Sequence, residues 1–138
     1  MRIVMALGLL LLALVLPAQA QIEDAPWQAT VSGQVEAFRA GDGVAALNYA
    51  GAGFKTQFTD PNDFIKAIAA SGYGPIVASR SHSFGKFTKV SDTVVLQVVK
   101  FVGPDQSLYE ALYQLANEPD VGWRVQGVVL KKEQGVGI

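Results

Sequence analysis

The chain has 138 residues, half of them hydrophobic and 17% charged, with no cysteine, one histidine and a formal net charge of -1. Without sulfur ligands or thiols it is not a disulfide scaffold, a zinc finger, an iron–sulfur protein or a thiol enzyme. The near-neutral balance lacks the basic excess that would neutralise phosphates, so nucleic acid is not an expected partner.

The hydrophobic excess is concentrated at the amino terminus. Arg2 precedes an apolar run over 3–16 broken only by Gly8, and Pro17-Ala18-Gln19-Ala20 follows. A charged start, an apolar stretch too short for a bilayer and an Ala-x-Ala site specify a secretory signal peptide over 1–20, cleaved after Ala20. Contact with the membrane is then transient and the mature chain is periplasmic or secreted; retention of the segment as an anchor is the alternative. What remains, 21–138, is about 45% apolar, an ordinary soluble composition for one domain. Its core must hold without disulfides.

Trp27, Val31, Val35 and Phe38 fall within an arc of about 80° at 100° per residue, which predicts an amphipathic first helix with Pro26 at its start and Gly41 at its stop. Asp42 is the expected N-cap of a second helix over 44–50, ended by Gly51 and Gly53. Phe54 and Phe58, one turn apart, are expected to pin the next segment to the core. Asp60-Pro61-Asn62-Asp63 starts a third helix running through Phe64, Ile65 and Ile68 to Gly72.

Beyond Tyr73 the period changes to two, with strands expected over 77–84, 87–90, 93–102, 107–117 and 123–131. Gly85-Lys86, Ser91-Asp92, Gly103-Pro104-Asp105 and Glu118-Pro119-Asp120 supply the intervening turns. Helices first and hairpin-connected strands afterwards predict an α+β domain whose antiparallel sheet curves around three N-terminal helices.

Motifs for catalysis are scarce. A Ser-His-Asp site would need His82, and no Gly-x-Ser-x-Gly elbow presents a nucleophile. Metal-ligand spacing and phosphate-cradling loops are absent, so no metal or cofactor is expected. Each aspartate sits at a predicted helix start or turn, where capping accounts for it. Glu110 is the one carboxylate placed inside a strand, and alternation gives it an outward reading.

Polar residues at positions patterned for burial are more informative. Gln34 falls in the apolar arc of the first helix, and Gln97 shares a strand face with Val95, Val99 and Phe101. Arg80 and His82 alternate onto the Phe84 face, and Tyr109 and Tyr113 onto the Ala111 and Leu115 face. These six residues form the candidate pocket: a polar rim on an apolar cavity, if their faces turn inward. The strand over 93–102 is apolar on both faces, Val94, Leu96, Val98 and Val102 on one and Val95, Val99 and Phe101 on the other. One face can meet the helices; the second predicts a partner surface, most simply a homodimer through the sheet.

The strings Gln34-Val35-Glu36-Ala37-Phe38-Arg39-Ala40-Gly41-Asp42, Phe58-Thr59-Asp60-Pro61-Asn62-Asp63-Phe64, Gly72-Tyr73-Gly74-Pro75 and Trp123-Arg124-Val125-Gln126-Gly127 occur in that order. Over about 27–130 the sequence resembles an uncharacterised bacterial family, domain of unknown function 4864, of the nuclear-transport-factor-2-like (cystatin-like) superfamily. The resemblance implies a cone: a strongly curved antiparallel sheet wrapped around a long first helix and two shorter ones. The superfamily hosts isomerases and dehydratases as well as noncatalytic binding modules, so the fold does not select a function. Similar enzymes place an Asp, or an Asp with a His, inside the cone; no aspartate of this chain falls on a predicted inward face. The leading expectation is an exported noncatalytic domain that binds a small apolar or amphipathic ligand, or a protein partner. An isomerase- or dehydratase-like enzyme using His82 with Arg80, or Glu110, on a hydrophobic substrate is the alternative, and a purely structural domain is the third.

Overall fold

The computed structural model describes residues 25–134; the expected signal peptide lies outside them. Helix α1, Trp27–Ala40, buries Trp27, Thr30, Val31, Gln34, Val35, Ala37 and Phe38 along one side. It stops at Gly41, whose φ of 67° lets its N–H and that of Asp42 turn back onto the Phe38 and Ala37 carbonyls at 3.1 and 2.9 Å. The Asp42 carboxylate then accepts from the Ala45 N–H at 3.1 Å and starts α2, Gly43–Asn48. Helix α4, Pro61–Ile68, opens as its sequence predicts, with Asp60 accepting from the Asn62 N–H at 2.9 Å and proline in the first turn. A wide turn over Ala69–Tyr73, in which Gly72 has a φ of 98°, leads into the short α5, Gly74–Val77.

Between α2 and α4 the structure adds an element that the sequence pattern does not show. Ala52–Gln57 form helix α3, which carries Phe54 and leads into Phe58. Its N-terminal cap comes from 66 residues away: the Glu118 carboxylate accepts the Ala52 N–H at 3.1 Å and the Gln126 amide at 2.9 Å. These bonds, Gln126 first, hold the Glu118 carboxyl below its ordinary range.

Four strands, β1 (Ser81–Lys89), β2 (Val94–Val102), β3 (Leu108–Glu118) and β4 (Gly122–Lys132), pair antiparallel in the order β1-β2-β3-β4. Two expected strands, 77–84 and 87–90, are thus one. Gly85-Lys86 is a bulge inside β1, where the register with β2 shifts between Phe84 and Phe87, and Val77 belongs to α5. A second irregularity, between Gln114 and Leu115, leaves Gln126 extra on β4. Bulges raise the local twist and bend a strand, so the two of them curve the sheet around the helices.

The concave face of the sheet presents Val95, Val99, Phe101, Ala111, Leu115 and Val125 to Val31, Val35 and Phe38 of α1, and together these residues make the core. A parallel bridge between Ala50 and Val125 fastens the end of α2 to β4. Phe64, 2% exposed, gathers Phe38, Phe54 and Phe58 around its ring at centroid distances of 5.9, 5.9 and 5.3 Å. Burying that one side chain contributes about 2–3 kcal/mol, and it ties α1, α3 and α4 into a second layer.

Candidate functional site

The helical layer does not close on the sheet everywhere. A cavity of about 380 Å³ lies between α1, α3 and α4 on one side and β3 and β4 on the other. Phe38, Phe54, Phe58, Phe64, Ile68 and Ile76 form its helical wall; Tyr113, Val125 and Val128 form its floor. Among the described residues, none that lines it is an aspartate, glutamate, lysine, arginine or histidine.

Besides the exposed Gln57, its polar side chains fall into two sets. The Tyr73 hydroxyl donates to the Val128 carbonyl at 2.7 Å and the Ser71 hydroxyl to the Ala67 carbonyl at 2.7 Å, so both are engaged by the backbone. Gln34 donates Nε2 to the Ala46 carbonyl at 3.1 Å, which orients the amide, but its Oε1 has no partner among the described residues. The Tyr113 hydroxyl has none either, although Tyr113 is only 1% exposed. Arg124 Nε is the one sealed side-chain nitrogen or oxygen left without a partner among the described residues, so the Tyr113 hydroxyl and Gln34 Oε1 are open to the cavity space. Burial pushes the Tyr113 phenol well above its ordinary range, which keeps it protonated and a hydrogen-bond donor.

Of the six residues of the predicted pocket, this cavity brings together Gln34 and Tyr113. Gln97, fully buried, has a different task. Its Oε1 accepts from Trp27 Nε1 at 2.7 Å and Gln28 Nε2 at 3.1 Å, while its Nε2 donates to the Gly85 and Val98 carbonyls at 2.9 and 2.8 Å. One side chain therefore satisfies the bulge of β1 and anchors the start of α1. Arg80 stands apart from the cavity: it is exposed just ahead of β1, and its backbone N–H bonds the Val102 carbonyl at 2.8 Å.

His82 and Tyr109 line a second, smaller cleft of about 250 Å³ beside Phe101 and Lys100. The Tyr109 hydroxyl reaches the Asp105 carboxylate at 3.4 Å. His82 Nε2 lies 3.0 Å from the Ser32 hydroxyl and Nδ1 lies 3.3 Å from Arg39 Nη2, while Arg39 also donates to the Ser79 hydroxyl. Arginine is a donor only, so Nδ1 must accept and the ring proton resides on Nε2. His82 then donates to Ser32, the reverse of what a serine nucleophile needs from its base. Partial burial and, after it, the Arg39 charge lower the His82 pKa from its ordinary value; Glu36 opposes them.

Ser32, Arg39, Phe54, Phe58, Phe64 and Tyr73 are absent from the predicted pocket although they shape these two sites. The sequence pattern singles out neither Ser32 nor Arg39, and it presents Phe54 and Phe58 as pins and Phe64 as part of the third helix, so only contacts distant in sequence give them their roles. Among the described residues, no cluster of potential metal ligands occurs and no helix is long and apolar enough to cross a membrane.

Residues 20–138 match the family described as Domain of unknown function (DUF4864). A solved structure from Nostoc punctiforme PCC 73102, a domain of unknown function with a cystatin-like fold, superposes with a TM-score of 0.55 at 14% identity, over 78% of this chain and 75% of that one. At that identity the likeness shows the fold alone. None of the curated proteins matches the sequence.

Proposed function

We propose that this chain, which belongs to the family Domain of unknown function (DUF4864), is a noncatalytic domain that holds a small apolar or amphipathic molecule in its 380 Å³ cavity. The observation that carries this reading is the cavity wall itself: aromatic and aliphatic side chains, a few polar groups, and no ordinary acid or base beyond the tyrosines among the described residues. An isomerase or dehydratase would need a positioned proton-transfer group at the substrate. His82 is outside the cavity lining, and Glu110 is paired with Lys131 at 3.3 Å on the convex face.

Nile red, an uncharged dye that fluoresces in apolar surroundings, tests the reading. It is expected to bind one site per chain, and Ala67→Phe, which fills the cavity from α4, is expected to weaken it at least about tenfold while the fold is kept. Saturable binding that is unchanged in the filled variant sinks the proposal, as does no binding to either protein.

A second reading rests on the convex face of the sheet. Val98, Leu112 and Val129 form a row across β2, β3 and β4, with Leu112 42% and Val129 69% exposed. The next outward row, Lys100, Glu110 and Lys131, is charged. We propose that a second copy of this chain covers the apolar row, since one self-complementary patch is all that an isologous dimer requires.

Export is proposed as well, on the strength of Arg2, the apolar run and Ala18-Gln19-Ala20. A mature protein whose intact mass begins at Gln21 is the expected result, and a full-length mass from the exported fraction would overturn it.

A further inference from the structure

Resting on the cavity reading above, we infer that the bound molecule is an uncharged apolar compound that presents a hydroxyl group to Tyr113 and Gln34. The unpaired donor and acceptor atoms of the cavity select the ligand's polar group. Gln34 Oε1 can only accept, and one N–H of its amide, donated to the Ala46 carbonyl, fixes which way the amide faces. The Tyr113 hydroxyl can donate or accept, and the protein gives it no partner. A carbonyl oxygen in the cavity would satisfy the tyrosine and leave Gln34 Oε1 unpaired. A hydroxyl both donates and accepts, so it is the simplest group that answers an acceptor-only atom and a donor together.

Charge is decided by the rest of the wall. Among the described residues no cation lines the cavity, so a carboxylate would lose its hydration there with a tyrosine as its strongest donor, and an ammonium would find no carboxylate. The remaining hydroxyl groups are held by backbone carbonyls. Apart from the exposed Gln57, the wall is otherwise aromatic and aliphatic, with Phe64 and its neighbours offering ring edges and faces to a flat apolar body. A compound of two fused rings lies well within the 380 Å³ available.

Calorimetric titration with three probes of one shape, naphthalene, 2-naphthol and 2-naphthoate at neutral pH, tests the inference on the whole chain. The expected order is 2-naphthol about tenfold tighter than naphthalene, the worth of one good buried hydrogen bond, with 2-naphthoate weakest. Tyr113→Phe removes only an oxygen that the protein itself does not bond, so the fold should survive. In that variant naphthalene is expected to bind as before and the advantage of 2-naphthol to disappear. Naphthoate binding as tightly as naphthol, or an advantage that survives Tyr113→Phe, overturns the inference. Naphthalene binding with no preference for naphthol overturns it while leaving the cavity reading intact; failure of all three probes brings down both.

Discussion

His82 shows how a single histidine can be committed to structure by its neighbours. Its ring sits 5.7 Å from the Phe84 ring and 6.0 Å from Phe101, with Ser32 and Arg39 on its two nitrogens. Protonation would place a second cation against Arg39 and remove the acceptor that Arg39 uses. Glu36 is the one opposing charge, and it does not win. The folded pKa therefore lies below the unfolded value of 6.5, and the unfolded chain binds the extra proton first as pH falls. Stability from this site is complete above about pH 6.5 and is lost as pH drops from there through the folded value. The melting temperature is expected to fall between pH 7 and 5, and His82→Phe, which keeps a ring but cannot titrate, is expected to flatten that limb. Identical pH profiles for the two proteins would remove His82 as the cause. Carboxylates such as Glu118 and Asp105, whose pKa values are lowered, act only at more acidic pH and leave the comparison unaffected.

At the scale of the elements, the close approach of α2 to α4 depends on a residue without a side chain. A Cβ at Gly43 would stand 2.6 Å from the Pro61 carbonyl oxygen, a backbone atom that cannot swing aside. Gly43→Ala is expected to destabilise the protein by about 1–3 kcal/mol, the usual range for overpacking, read as a shifted denaturation midpoint. An unchanged midpoint would mean that α4 gives way freely. The same scale shows what can be read along the chain. Helices α1, α2 and α4 are legible because their signals are local: an apolar arc, Asp42, and Asp60 with Pro61. Helix α3 is not, because six residues with no local cap owe their start to Glu118 at the end of β3, 66 residues further along the chain. The turn expected at Gly85-Lys86 has ordinary turn composition. It is a bulge because Gln97, a residue of the next strand, takes up the Gly85 carbonyl that the ladder leaves over. Burial of Gln34, Gln97 and Tyr113 is legible from periodicity alone, but their separate tasks are not. Each depends on which backbone group the fold brings near, the Ala46 carbonyl for Gln34, the Gly85 and Val98 carbonyls for Gln97 and none for the Tyr113 hydroxyl.

For the whole molecule, the two faces of β2 explain why a sheet with one helical layer carries two apolar surfaces. Val95, Val99 and Phe101 are buried against α1, whereas Val94, Leu96, Val98 and Val102 remain half-exposed on the convex side. Surface of that kind is unfavourable in water at about 25 cal/mol per Å², and a partner that covers it recovers the difference. Curvature limits which partner fits, since a convex sheet meets another convex sheet along a band rather than over its full width. The row Val98, Leu112 and Val129 lies across three strands and gives such a band. Beside it Lys100 pairs with Glu133 at 3.7 Å and Lys131 with Glu110 at 3.3 Å, so the charged neighbours are largely neutralised within one copy. The proposed contact between copies through this row should therefore be apolar in origin and insensitive to salt. Sedimentation over a range of concentrations is expected to show a dimer whose dissociation constant changes little with ionic strength. Leu112→Lys, on the exposed side of β3, is expected to raise that constant at least about tenfold without altering the melting profile of the isolated chain. A monomer at every concentration, or a dimer that dissolves in salt and ignores Leu112→Lys, would show that the convex face is not where copies meet.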